Sequence, residues 1–159
     1  MLKYSTLFVV PSFNSGKGWN NKQRRILQQL AKDNVVNRIA SNTAHAEQVT
    51  RIFEDGKKSN GANIGKYKND SYKKLRAQKG RETGFINLRL SGALQIDYSN
   101  GLKTTKKDSQ TQVVLLKSNR NAVIVEAQEK RFGDIFELTK EEVDLFINTT
   151  TRELQLLLG

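Results

Sequence analysis

Asp97, Glu126 and Lys130 are the residue types a metal-dependent nuclease uses. Two carboxylates hold a divalent cation and a lysine steadies developing charge on phosphate. Nothing in their spacing singles them out for that work. Glu129, Asp134, Glu137, Glu141 and Glu142 crowd the same region, but they fall in a turn and at the start of a helix. Carboxylates there serve caps and helix dipoles. His45 is the only histidine, and with Glu47 beside it on a helix it lacks a second ligand, so a surface or helix-packing role is expected. Gly16-Lys17-Gly18 lacks the spacing of a phosphate-binding loop. The chain has no cysteine, which removes thiolate metal sites, disulfides and a Cys nucleophile and fits a reducing compartment. We therefore expect no catalytic residues, no metal and no cofactor.

Binding chemistry is better represented. The formal net charge is +11, and most of it sits between Gly56 and Glu82. Lys57, Lys58, Lys66, Lys68, Lys73, Lys74, Arg76, Lys79 and Arg81 stand there against Asp70 and Glu82 alone. The stretch is rich in Gly, Asn and Ser and poor in apolar residues, so it cannot bury enough surface to offset the entropy of ordering it. Residues 56–82 are expected to form an extended arm that carries cations to a polyanion or an acidic partner. Deleting Lys57 to Lys79 is expected to leave the body folded. Tyr67 and Tyr72 either stack on bases or pack locally. Arg131 and Phe132, beside the Gly133-Asp134 turn, are candidate interface anchors; Phe136 is assigned to the core.

These residues need a scaffold. At 159 residues the chain is expected to be one domain, 1–159. No apolar run approaches the roughly 20 residues that cross a bilayer, so no membrane contact is expected. Leu7–Val10 is β-prone and ends at Pro11, a better strand or docking segment than signal peptide. A helical pattern then runs from about Lys22 to Glu54, with Ile26, Leu27, Leu30 and Ala31 followed by Val35, Val36, Ile39, Ala40, Thr43, Ala46, Val49, Ile52 and Phe53. Gly56 is placed to end it. Phe85–Leu90 and Gln112–Leu116 read as strands, and Ala122–Ala127 as a strand or a strand running into a short helix, with a turn at Ser99-Asn100-Gly101, a basic patch at Lys103–Asp108 and a second turn at Ser118–Asn121. Leu90–Leu94 reads as a turn of helix before the strand-like Gln95–Tyr98. Thr139 with Glu142 forms a capping box. Val143, Phe146, Ile147, Thr150, Leu154, Leu157 and Leu158 then share one face of a terminal helix. The predicted class is α+β: a long N-terminal helix, a long basic loop, a small antiparallel sheet and a C-terminal helix packed on it.

Three segments carry a resemblance. Thr83-Gly84 with Leu88–Leu94 looks like a "TG-Leu-Arg-Ser" stretch after a variable loop. Ala127–Gly133 follows a strand pair. Ile135–Glu142 is similar to an "R-x-F-x-Leu-Ser/Thr-x-Glu-Glu/Asp" lead-in to a last helix. Together they resemble the tailed-phage neck and tail-completion proteins, the virion morphogenesis or head–tail joining group. The resemblance covers about Thr83 to Phe146 and, more loosely, Lys22 to Glu54. It implies a non-enzymatic structural protein of the virion neck or tail, assembled in the bacterial host cytoplasm. It implies a homo-oligomeric ring of six or twelve copies that meets the portal or connector and the tail proteins, with non-specific DNA contact open to it. The basic segment is larger than that pattern leads one to expect. The alternative is a non-specific nucleic-acid-binding module; the nuclease built on Asp97, Glu126 and Lys130 ranks last.

Overall fold

A computed structural model describes residues 21, 22, 25, 35–104 and 112–158. The expected strand at Leu7–Val10, the apolar stripe Ile26 to Ala31 and most of the Lys103–Asp108 patch lie outside the described residues. The described chain forms α1 (Val35–Phe53), α2 (Asp70–Gln78), α3 (Ala93–Ser99), β1 (Leu102–Thr104), β2 (Gln112–Val114), α4 (Asn119–Phe132) and α5 (Lys140–Leu158).

The two nineteen-residue helices, α1 and α5, form the frame. They run antiparallel. Arg51 at the end of α1 meets Glu142 in the first turn of α5, and Phe146, one turn on, packs against Ala44 and Ala40. Ala40, Ser41 and Ala44 are fully buried, so small side chains let the helices approach closely. The start of α5 is the capping box read from sequence. Thr139 Oγ1 accepts the Glu142 N–H at 3.1 Å, and Glu142 Oε2 accepts the Thr139 N–H at 2.9 Å. Gly56 closes α1 at φ 64°, the left-handed geometry expected of it.

The buried face of α1 is rotated from the expected stripe. Val36, Ala40, Ala44 and Ile52 are buried, while Ile39, Thr43 and Ala46 are exposed. Polar residues supply the difference: His45, Gln48 and Arg51 are buried because each finds partners. On α5, likewise, Phe146, Thr150 and Leu154 are buried and Val143, Ile147 and Leu157 face outward.

The main core gathers Ile52, Phe53, Ile64, Ile86, Leu94, Tyr98, Val114, Val125, Ile135 and Phe136, from the end of α1 to the lead-in to α5. Tyr98 lies at its centre, with His45, Phe53 and Phe136 rings 5.2, 5.8 and 5.1 Å away. Its hydroxyl donates to Gln48 Oε1 at 2.9 Å, and Gln48 Nε2 donates to the Phe136 carbonyl at 2.8 Å. Burial pushes the phenol pKa far up, so Tyr98 stays neutral.

The α+β expectation is corrected: this is a helical fold. The one strand pairing in a named sheet of the described residues is β1 against β2, antiparallel, with Leu102 opposite Val114 and Thr104 opposite Gln112. Phe85–Leu90 is irregular. Asn87 spends its side chain on Arg76, and Leu88 takes φ 51°. Ala122–Ala127 lies inside α4, where Ser118 is the N-cap and accepts the Asn121 N–H. Val125 is fully buried while Val123 is 62% exposed, so the β-branched run serves a helical period and not an alternating one.

Residues 56–82 also depart from the expected extended arm. A β-bridge pairs Lys57 with Asn63, Ile64 is 3% exposed in the core, and α2 runs over nine residues. Asn69 caps α2 by accepting the Tyr72 N–H at 2.9 Å. The segment orders because Ile64 and Tyr67 pack in or against the main core and because Arg76 ties it to the following loop; Leu75 stays exposed.

Candidate anion-binding cleft

Arg76 is the anchor of the site. It sits on α2 and is 1% exposed. Its Nε donates to the Glu82 carbonyl at 2.7 Å and one Nη to Asn87 Oδ1 at 2.8 Å. The guanidinium lies 4.4 Å from the Tyr67 ring centroid and 5.9 Å from that of Tyr72, a cation–π arrangement. The two tyrosines meet edge to face at 5.4 Å. Burial pushes the Tyr67 phenol pKa up against the opposing charge of Arg76, so the ring stays neutral.

These groups form one wall of a cleft of about 870 Å³. Lys66 and Lys68 come from the strand-like approach to α2. The floor is Ile86, Leu88, Leu94 and Ile124. The far wall is α4, which supplies Arg120, Asn121, Gln128, Arg131 and Phe132. The Arg131 guanidinium lies 4.9 Å from the Phe132 ring centroid. Among the described residues, five cations, Lys66, Lys68, Arg76, Arg120 and Arg131, line the cleft, and no carboxylate does.

Asp97, on α3, ties that helix to the start of α4. It accepts the Lys117 and Ser118 N–H groups at 2.9 and 3.1 Å and Asn121 Nδ2 at 2.8 Å. Burial alone would raise its pKa, but those hydrogen bonds together hold the carboxyl below its ordinary value.

The structure divides the basic residues predicted from sequence. Lys66, Lys68, Arg76, Arg131 and Phe132 converge on the cleft. Lys57 borders a second hollow, near Glu47, Asp55 and Glu141. Lys58 holds its neighbourhood through its backbone, donating to the Ala62 carbonyl. Lys73 pairs with Asp70 at 3.0 Å. Lys74 and Lys79 are exposed on and just after α2, and Arg81 donates to the Leu90 carbonyl at 3.1 Å. Arg120 was missed because Ser118–Asn121 read as a turn. The signal that finds it is Ser118 three residues before Asn121, a helix start from which the first turn faces the cleft.

The nuclease constellation does not assemble. Asp97 caps α4, and Glu126 pairs with Lys130 along α4 at 2.8 Å. No group of three His, Asp or Glu suited to a metal occurs among the described residues. No helix among them is long and apolar enough to cross a membrane. No family model, no curated protein and no solved structure matches this chain.

Proposed function

We propose that this chain is a structural subunit of a tailed-phage virion, a component of a homo-oligomeric ring at the neck or tail end. Its cationic cleft is the contact with an anionic partner, and it catalyses nothing. Portal or connector and tail proteins are its neighbours, and the host cytoplasm is where it assembles. The observation that carries this reading is convergence. Two of the three segments that resemble the neck and tail-completion group meet at the cleft, and the third docks on α1. Leu88–Leu94 and the Gln128–Phe132 turns of α4 line one cleft, and Ile135–Glu142 closes on the end of α1 through Arg51. Exposed Val143, Ile147, Leu156 and Leu157 on α5 leave apolar surface for contacts between copies.

The test is the size and shape of the purified chain, by light scattering and electron microscopy. Closed rings are the expected outcome. A protomer that stays single at every concentration, alone and with virion components, removes the proposal. The second reading is a monomeric, sequence-indifferent nucleic-acid-binding module. The all-cation lining of the cleft favours it, and tight DNA binding by a lone protomer absent from virions would establish it.

A further inference from the structure

Arg76 is a buried cation that makes no ion pair among the described residues. Its Nε and Nη2 donate to a carbonyl and an amide oxygen, which are neutral. Its Nη1 donates to no described group. Arg51 gives the contrast within the same fold: it is buried equally deeply in effect, and Glu142 meets it at 2.6 Å. A charge taken out of water without a counter-ion is costly. Around Arg76 the cleft adds four more cations and no acid. No carboxylate among the described residues meets Arg76, which leaves the cleft open to an anion from outside.

Two features specify which anion. Aromatic rings stand beside the cations, Tyr67 and Tyr72 on one wall and Phe132 on the other, with a guanidinium over Tyr67 and over Phe132. Rings and guanidinium planes that flank phosphate-binding cations accept any base by stacking. The cleft volume of about 870 Å³ lies in the range of pockets that hold small ligands. A few unpaired nucleotides fit it. A duplex keeps its bases stacked inside, with only their edges in the grooves, so its bases cannot stack on these rings.

We propose that the cleft between α2 and α4 seats a short single-stranded stretch of nucleic acid, with a phosphate at Arg76 and bases against Tyr72 and Phe132. This rests on reading the cleft as the chain's contact with an anionic partner. Recognition is indifferent to sequence, because the cations and rings offer no pattern matched to particular base edges.

The test uses the full chain and a labelled oligonucleotide of about twelve thymidines, read by fluorescence anisotropy at low and moderate salt. The single strand is expected to bind at least about tenfold more tightly than a duplex of equal length. Arg120→Glu with Arg131→Glu is expected to weaken it by about a hundredfold and to flatten the salt dependence. Lys74→Glu with Lys79→Glu changes the net charge equally but lies outside the cleft, and is expected to cost far less. Duplex binding as tight as single-strand binding overturns the proposal. So does equal loss in the two double variants, or an acidic peptide such as polyglutamate binding as well as the oligonucleotide. Ring assembly is scored separately. Variants that lose the oligonucleotide but still close rings support the proposal, and wild-type chain that binds it without forming rings counts against the virion reading alone.

Discussion

Glu142 does two jobs at once. It completes the capping box of α5, and it neutralises Arg51, whose remaining donors reach the carbonyls of Lys57, Ile135 and Glu137. One arginine thereby ties the end of α1, the following loop and the lead-in to α5. Glu142→Gln keeps the shape but leaves a buried guanidinium without its counter-charge. We expect about 3–5 kcal/mol of destabilisation, measured by urea unfolding; a change under about 1 kcal/mol would show the pair behaves as a surface bridge. His45 gives a pH-dependent counterpart. Burial holds its pKa below the ordinary 6.5, although hydrogen bonds with the Tyr98 carbonyl and Gln48 favour the proton. The unfolded chain thus binds the proton more readily than the folded one. Stability is fully present above the unfolded value and falls as pH drops below about 6.5. Unfolding curves between about pH 5 and pH 7.5 should show that decline, and His45→Gln should flatten it. A wild-type protein that gains stability on acidification through this window would show the hydrogen bonds outweigh burial.

At the scale of elements, legibility followed locality. The α5 capping box and the Gly56 stop depend on a few adjacent residues, and both form as read. The strands at Phe85–Leu90 and Ala122–Ala127 do not. Their β-branched and apolar residues carry a signal that tertiary partners reassign, Asn87 to Arg76 and Val125 to the core. The apolar face of α1 was misjudged because buried polar residues look like wet ones until their partners are known. Two substitutions probe the elements that were read correctly. Phe146→Ala removes the one ring in the α1–α5 seam and should cost about 3–5 kcal/mol by urea unfolding. A near-zero effect would mean the seam repacks around the void. Gly56→Ala faces two penalties. The positive φ is strained for alanine, and a Cβ would collide with the Ile86 carbonyl and the Phe85 ring. The loss should exceed about 1 kcal/mol, and its absence would show the α1 terminus rearranges.

For the molecule as a whole, the basic segment decides how function is built on the fold. Its charge was legible. Its order was not, because composition does not reveal that Ile64 packs into the main core or that Arg76 finds Tyr67, Glu82 and Asn87 around it. A free arm would deliver charge by reach. A folded segment delivers it by position, holding Lys66, Lys68 and Arg76 opposite α4 before any partner arrives, so less ordering entropy is lost on binding. The two arrangements make opposite predictions for one experiment. Removing residues 57–79 from a body with a free arm leaves a cooperative unfolding transition. In this fold the same deletion strips Ile64 from the main core, removes α2 and exposes the apolar cleft floor at Ile86 and Leu88. We expect the shortened chain to lose its cooperative transition by calorimetry, or to aggregate on expression. A sharp transition near that of the full chain would mean α1, α5 and the Tyr98 core stand alone, with the cationic segment an appendage to them.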